Sequence, residues 1–172
     1  MSTRSRVGIK EKDGTVRSVY IHFDGYVAGV GKTLYESYQD VDKIEQLINL
    51  GDMSSINSEV EKCEPYTQRG EDLNIATDTV ESFKKSWASC GEEYVYLYND
   101  GRWMVNSVYK NKWESLDSLM KDAEISQLKK QVQRLQKAID YLLDGDETAK
   151  SILTSVHGLL YKSDLPKTGK EE

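Results

Sequence analysis

The sequence predicts an α+β fold, in which a small head of two antiparallel β-hairpins and capped helices precedes a long heptad helix. Two segments of alternating side chains each contain an Asp-Gly turn, at Asp13-Gly14 and at Asp100-Gly101, where Gly accepts the positive φ of a tight turn. Helix-length segments between them carry capping residues. Strands do not alternate with crossover helices, so a doubly wound parallel sheet is not expected.

The first hairpin is expected over residues 5–23, on either side of the Lys12-Asp13-Gly14 turn. A glycine-rich segment at 25–31 then predicts a flexible loop, and a short helix follows over 32–38. Asp40 is placed to cap the next helix, 41–50, because its side chain can accept from the free N–H groups of the first turn. This helix has one apolar face and a Gly in the left-handed C-terminal position, formed by Ile44, Leu47, Ile48 and Gly51.

Residues 52–75 show no clear period, include Pro65, and predict a long surface loop. Thr77 or Asp78 is expected to cap a helix that continues through Cys90. Its apolar positions, at three- and four-residue spacing, are Val80, Phe83 and Trp87. The second hairpin follows over residues 94–109, and its aromatic side chains suit a half-buried pleated surface. Glu114 is the expected start of the long helix.

The long helix carries aliphatic residues at a strict 3-4-3-4-3 spacing, with β-branched residues at each a position and Leu at each d position. This choice favours a parallel two-stranded coiled coil and therefore predicts a homodimer. Glu124 at a g position can pair with Lys129 at an e position of the partner. In the alternative arrangement, the helix packs within the chain on residues 149–161. The predicted interface residues are Ile125, Leu128, Val132, Leu135, Ile139 and Leu142.

These elements divide the chain into four parts. We expect an α+β head over 1–113, the long helix with its coiled-coil seam over 114–144, and a short C-terminal helix over 145–162. The charged segment 163–172 is expected to be a disordered tail.

The composition limits the classes of partner. The 172 residues include 23 Lys and Arg against 29 Asp and Glu, a formal charge of −6, so direct binding to nucleic acid is not expected. The chain begins without an apolar leader and has no apolar run long enough to cross a bilayer, so we expect no membrane association. Cys63 and Cys90 lack metal-ligand spacing, which predicts neither a metal site nor a cofactor.

Two short motifs contain residue types that could carry chemistry. Gly31-Lys32-Thr33 invites a phosphate-loop interpretation, but Tyr26 stands where that loop needs a Gly, so a solvated Lys32 opening a helix is the plainer interpretation. His22 and Asp24 at the end of a strand could bind a ligand or move a proton, or could simply end the strand and start a turn.

A third candidate is Arg69, in the loop segment Arg69-Gly70-Glu71-Asp72. Its guanidinium could grip a phosphate or carboxylate, although a local ion-paired turn is the commoner meaning of this pattern. No nucleophile elbow or Cys–His signature is present.

Several stretches, taken together and in order, resemble a group of small accessory proteins of tailed bacteriophages. They are STRSRVGIKEKDGTVRSVYIHFDGY, GVGKTL, LINLGDMSS, YTQRGED and EEYVYLYNDGRWMV, within residues 2–109. Phe23 and Val27 stand where that group has Trp and Pro. The resemblance implies a protein of the bacterial host cytoplasm that disarms a host defence or redirects host machinery. A pocket shared with the group would use His22, Asp24, Tyr26, Arg69 and Asp72.

The leading hypothesis is a non-enzymatic phage protein that inhibits a bacterial target by protein–protein contact as an oligomer. The alternative is a small-ligand binder that sequesters a nucleotide signal, with His22, Asp24, Lys32 and Arg69 as possible contacts to phosphate or base. A small nuclease or hydrolase is the third possibility, and it predicts that His22→Ala abolishes turnover.

Overall fold

The computed structural model confirms the α+β class: it has a six-stranded mixed sheet and a long helix toward the C-terminus. It describes residues 2–86, 91–142, 148, 151, 152, 154 and 155. The chain forms two compact units, Met1–Ala123 and Glu124–Glu172, and the long helix contributes residues to both. The predicted four-part division of the chain stays a prediction.

The sheet has the strand order β3-β2-β1-β4-β5-β6. The β1–β4 pair is parallel and the other neighbours are antiparallel. The strands are β1 (Ser5–Lys10), β2 (Thr15–Ile21), β3 (Ala76–Thr79), β4 (Tyr94–Asn99), β5 (Arg102–Ser107) and β6 (Glu114–Ser115). The helices are α1 (Lys32–Ser37), α2 (Val41–Asn49), α3 (Val80–Ser86) and α4 (Leu116–Leu142). A π-helical turn (Val27–Gly31) and two 3₁₀ turns (Val60–Lys62 and Tyr66–Arg69) complete the regular structure.

The parallel pair between β1 and β4 was not predicted, and it joins the two halves of the head into one sheet. Val7 of β1 lies opposite Tyr96 of β4, at the centre of the ladder. Four consecutive residues of β4, 95–98, are buried. The sequence of a strand that is covered on both sides is a continuous apolar run, and such a strand typically lies in the middle of a sheet.

The sheet is covered on both sides. On the first side, α1 and α2 pack on the larger core, whose fully buried members include Val7, Val19, Ile21 and Tyr96. On the second side, Phe83 of α3 packs on a smaller cluster formed with Val16, Val95 and Leu97. Because side chains of a strand alternate between sides, neighbouring residues of β2 and β4 contribute to different cores.

Helix α2 forms as the sequence predicts. The Asp40 side chain accepts from the Lys43 N–H at 3.1 Å, which satisfies one free donor of the first turn. The apolar face formed by Ile44, Leu47 and Ile48 is fully buried. Gly51 has φ of +78°, the left-handed conformation expected after the helix.

The prediction of a surface loop over residues 52–75 is wrong for part of that segment. Residues 52–54 continue the sheet beyond β3: the His22 N–H donates to the Met53 carbonyl at 3.1 Å, and the Phe23 N–H donates to that of Ser54 at 2.9 Å. Met53 and Cys63 are buried. Periodicity is not visible in this segment because it contributes short extended pieces and turns rather than one long element.

Other boundaries also differ from the predictions. Residues 76–79 form the edge strand β3, and Thr79 rather than Thr77 or Asp78 accepts from the Ser82 N–H to cap α3. The glycine-rich segment contains the π-helical turn instead of a plain loop. Helix α4 begins at Leu116, since Glu114 and Ser115 form β6. The predicted continuation of α3 to Cys90, and most of the predicted segments 145–162 and 163–172, lie outside the described residues.

Candidate functional site

His22 follows β2 directly and is held between two aromatic rings. Its Nδ1 lies 3.0 Å from the Tyr20 hydroxyl oxygen, and its ring is nearly perpendicular to that of Phe23, with 4.5 Å between centroids. Phe23 is 44% exposed, while His22 is half-buried. The imidazole is therefore fixed in orientation at the surface, with one nitrogen hydrogen-bonded and one edge facing an aromatic neighbour.

Asp24 and Tyr26 build a turn. Asp24 has φ of +55°, and its carbonyl accepts from the Val30 N–H at 2.8 Å. The Tyr26 carbonyl accepts from the Gly29 N–H at 3.0 Å. A side chain at Gly29 would bring its Cβ to 2.2 Å from the Asp24 carbonyl oxygen, so this turn requires glycine. The backbone groups of Asp24 and Tyr26 close this turn, and the side chains of both residues are exposed.

Lys32 stands apart from the His22 environment as the first residue of α1. Its ammonium lies 3.8 Å from the Glu36 carboxylate, one helical turn later, and both side chains are more than half exposed. Exposed pairs of this kind contribute little free energy. Lys32 therefore forms a surface ion pair, in agreement with the interpretation of Gly31-Lys32-Thr33 as a turn that opens a helix with a solvated lysine.

Arg69 lies over an aromatic ring. Its guanidinium carbon is 5.2 Å from the centroid of the Tyr66 ring, a distance at which a cation is attracted to the ring face. Tyr66 is half-buried and opens the 3₁₀ turn that ends at Arg69. Asp72 is exposed three residues farther on.

Asp52 connects the His22 and Arg69 environments. One of its carboxylate oxygens accepts from the Tyr20 N–H at 2.6 Å, and the other accepts from the Asn74 side chain at 2.6 Å. Its carbonyl accepts from the Tyr66 N–H at 3.0 Å. Residues 52–54 therefore lie between the end of β2, which carries Tyr20, and residue 65, which precedes the turn that opens at Tyr66. This arrangement brings His22 and Arg69 toward one surface, which we call the tyrosine surface.

Tyr20 and Tyr66 are not among the site residues predicted from the sequence. Tyr20 could have been found, because it lies two residues before His22 in a strand and so points to the same side. Tyr66 could not, because its position depends on the unpredicted pairing of 52–55 with 64–66. The pKa of each phenol is raised by burial, and the positive charge of Arg4 opposes the rise in both. Both hydroxyls remain protonated donors at neutral pH.

The described part of helix α4 has an aliphatic stripe on its surface. Five of the six predicted interface residues are exposed in the single chain: Ile125 by 49%, Leu128 by 52%, Val132 by 51%, Leu135 by 64% and Ile139 by 37%. Leu142 is the last residue of the helix. A stripe of large apolar side chains at heptad spacing is the kind of surface that a second helix covers.

Cavities open elsewhere in the first unit. One of about 150 Å³ is lined by Tyr94, Asn106 and Tyr109 among others, and another of about 280 Å³ by Tyr35, Arg102 and Trp103. An open groove of about 630 Å³ lies along the tip of the β1–β2 pair. The six predicted ligand residues do not line these three cavities.

Comparison with known proteins gives no match: no family model, no curated protein and no solved structure is similar to this chain at a significant level. Within the described residues, no helix is long and apolar enough to cross a membrane. Among those same residues, no group of three or more His, Cys, Asp or Glu side chains could hold a metal ion. The function is therefore inferred from the chemistry of the two surfaces.

Proposed function

We propose that this chain is a phage-encoded, non-enzymatic binding protein that acts as an oligomer in the bacterial cytoplasm. It inhibits or redirects a host protein, a component of a defence system, by direct contact. The observation that carries the proposal is the exposed aliphatic stripe on α4. The phage origin rests on the sequence resemblance over residues 2–109.

The stripe supports a second copy of this chain as the first partner. Burial of one such aliphatic side chain stabilises an assembly by about 1.5–3 kcal/mol, and five of them are exposed in one chain. The β-branched residues at a and Leu at d suit the packing of two parallel helices. Water-exposed side chains in one chain become the buried layers of the dimer.

Charge also favours the parallel arrangement. In a parallel pair, Glu124 at g faces Lys129 at e of the partner, once on each side of the seam. In an antiparallel pair, g faces g and e faces e, so Glu124 and Lys129 no longer meet. Both residues are exposed in the single chain and available for such pairing.

A dimer presents two heads, and two linked binding modules gain apparent affinity for a symmetric target without new contacts. The head carries an acidic segment over residues 36–72, with Asp40, Asp42, Glu59 and Glu61 exposed on its surface. Such a surface attracts a basic partner, for example a host protein that binds nucleic acid.

The oligomer is tested by measuring molar mass in solution by light scattering. We expect the wild-type chain to be a dimer at micromolar concentration and Leu128→Asp/Leu135→Asp to be a monomer. Lys130→Asp is the matched control, because it adds a carboxylate at an f position, away from the seam, and should remain dimeric. A wild-type monomer at high micromolar concentration would contradict the proposal.

The host target is tested by capture from bacterial lysate with the wild-type chain and with the monomeric variant. A true target is retained by the wild type, competes with untagged protein, is retained less well by the monomer, and binds again when both partners are purified. The proposal fails if no host protein meets these criteria at micromolar concentration.

A further inference from the structure

The tyrosine surface lies on the second side of the sheet. Arg6 of β1 pairs in register with Tyr20 of β2. Side chains alternate along a strand, so Tyr20 and the following His22 share the side of Arg6, opposite the core residues Val19 and Ile21. Phe83 covers this side farther along β2, at Val16. Tyr20 itself is only half-buried, so the sheet beside it reaches solvent.

Three of the carboxylates near the surface, those of Glu92, Asp52 and Glu64, already have partners. Glu92 is fully buried and forms a 2.9 Å ion pair with Arg6. Both oxygens of Asp52 accept hydrogen bonds, from the Tyr20 N–H and from Asn74. Glu64 accepts from the Ser55 hydroxyl. These groups hold the surface together and leave little capacity to neutralise further cations.

Two exposed arginines retain their positive charge for a ligand. One is Arg69, and the other is Arg4, which lies two residues before Arg6 and therefore on the same side of the sheet. Among the described residues, neither Arg4 nor Arg69 forms an ion pair with a carboxylate. The Arg69 guanidinium lies over the Tyr66 ring, 5.2 Å from its centroid. The Arg4 guanidinium lies beside Gly91, since a Cβ at that glycine would be 3.3 Å from its Nη1. A guanidinium that lies over an aromatic ring can contact another planar group with its outer face. A guanidinium without an ion-pair partner can donate two parallel hydrogen bonds to a phosphate.

We propose that the tyrosine surface binds a nucleoside phosphate, with the base on the Arg69–Tyr66 stack and the phosphate on Arg4 and the Tyr20 side. The residues differ from those expected from sequence: His22 and Arg69 are retained, while Asp24 builds a turn and Lys32 pairs with Glu36. This site does not depend on the proposed oligomer, because it uses no residue of α4.

A small ligand fits better than a nucleic-acid strand. A strand-binding groove needs a row of cations along many phosphates. This surface offers two free arginines. Arg69 is two residues from Glu71, and both lie in the acidic segment 36–72 of a chain with a net charge of −6. Those negative charges repel an extended polyanion but tolerate one phosphate between Arg4 and the tyrosine hydroxyls.

The test is isothermal titration of the full chain with AMP, adenosine, inorganic phosphate and a single-stranded oligonucleotide, with GMP, CMP and UMP as further bases. We expect at least one monophosphate to bind more tightly than either of its parts and more tightly than the oligonucleotide. Arg69→Gln should weaken binding of both monophosphate and nucleoside about tenfold, the loss typical of a removed stacking partner. Arg4→Gln should weaken the monophosphate alone.

Arg102→Gln is the matched control, because Arg102 is exposed on β5 and lines a different cavity. It should leave binding unchanged, and so should the monomeric Leu128→Asp/Leu135→Asp variant. The proposal is overturned if no monophosphate gives heat, if Arg102→Gln weakens binding as much as Arg69→Gln, or if the oligonucleotide binds most tightly. Neither capture of a host protein nor failure to capture one bears on this result.

Discussion

At the scale of single residues, the Arg6–Glu92 pair shows how the head tolerates buried charge. The Glu92 side chain is fully buried and that of Arg6, on β1, is 15% exposed, and the two meet at 2.9 Å. Glu92 lies two residues before β4. Arg6 also donates to the Ser18 hydroxyl at 3.4 Å. Such a pair adds little net stability, but the loss of one partner leaves the other charge without compensation.

We therefore expect Glu92→Gln to destabilise the head by about 3 kcal/mol, because Arg6 loses its countercharge while the shape of the side chain is kept. Denaturant unfolding measures the change in free energy of unfolding. Glu71→Gln, at an exposed position, is the control and should stay within about 0.5 kcal/mol of wild type. Equal effects of the two substitutions would show that the buried pair has no special role.

Two buried tyrosines predict that the head loses stability at high pH. Tyr38 donates to the Asn57 carbonyl at 2.7 Å and Tyr96 donates to that of Gly25 at 2.8 Å. Burial raises the pKa of both phenols above the ordinary value of 10.0, since the charged form is disfavoured there. In the unfolded chain these phenols ionise near pH 10, whereas in the folded head they keep their protons.

Their stabilising contribution is thus complete below pH 10 and falls as the pH rises above it, because only the unfolded chain then releases protons. We expect the free energy of unfolding to decline above about pH 10, as measured by denaturant titration at fixed ionic strength. The decline should be shallower in Tyr96→Phe, whereas Tyr141→Phe, at an exposed position of α4, should leave it unchanged. A flat profile to pH 11 or so would refute the linkage.

At the scale of elements, local signals decide how well the sequence predicts the structure. Helix α2 was predicted because every signal lies within the helix and its ends: the Asp40 cap, the buried face and Gly51. Strand β3 was missed because Ala-Thr-Asp-Thr is polar and half-exposed, and it forms an edge strand only through its pairing with β2.

The same contrast holds for the candidate site. His22 and Arg69 stand out in the sequence by residue type and context, but they are 47 residues apart, and no local pattern links them. Tyr66 reaches Tyr20 only because residues 52–54 add to the end of β2. Long-range pairing of this kind depends on tertiary context, which single-sequence periodicity does not encode.

The cap of α2 gives a prediction at this scale. Asp40→Ala should lower the free energy of unfolding by about 1 kcal/mol, because the Lys43 N–H loses its acceptor. The control is Gln46→Ala, an exposed position in the same helix, where alanine is a good helix former and no cap is lost. Denaturant midpoints of the two variants measure the difference, which vanishes if the cap is unimportant.

At the scale of the whole molecule, the proposed dimer links the stability of the second unit to protein concentration. Within the described residues of the second unit, the aliphatic stripe of helix α4 is exposed, so a helix that covers this stripe would add to the stability of α4. A partner that binds only the folded helix shifts the equilibrium by mass action.

We expect helix content, measured by far-ultraviolet circular dichroism, to rise with protein concentration over about a hundredfold range, and the melting temperature to rise with it. Leu128→Asp/Leu135→Asp should show the low helix content of the dilute protein at every concentration. A concentration-independent wild-type signal would mean that α4 is already stable in one chain.

The position of β1 has a consequence for synthesis. This strand leaves the ribosome well before β4, one of its two flanking strands, which begins at Tyr94. At ordinary translation speeds that neighbour follows on the order of ten seconds later. During this delay the nascent β1–β2 pair has an unpaired edge on β1, to which strands of other chains can add. A chaperone that shields nascent chains would therefore matter more here than for a protein whose strands pair only with near neighbours in sequence.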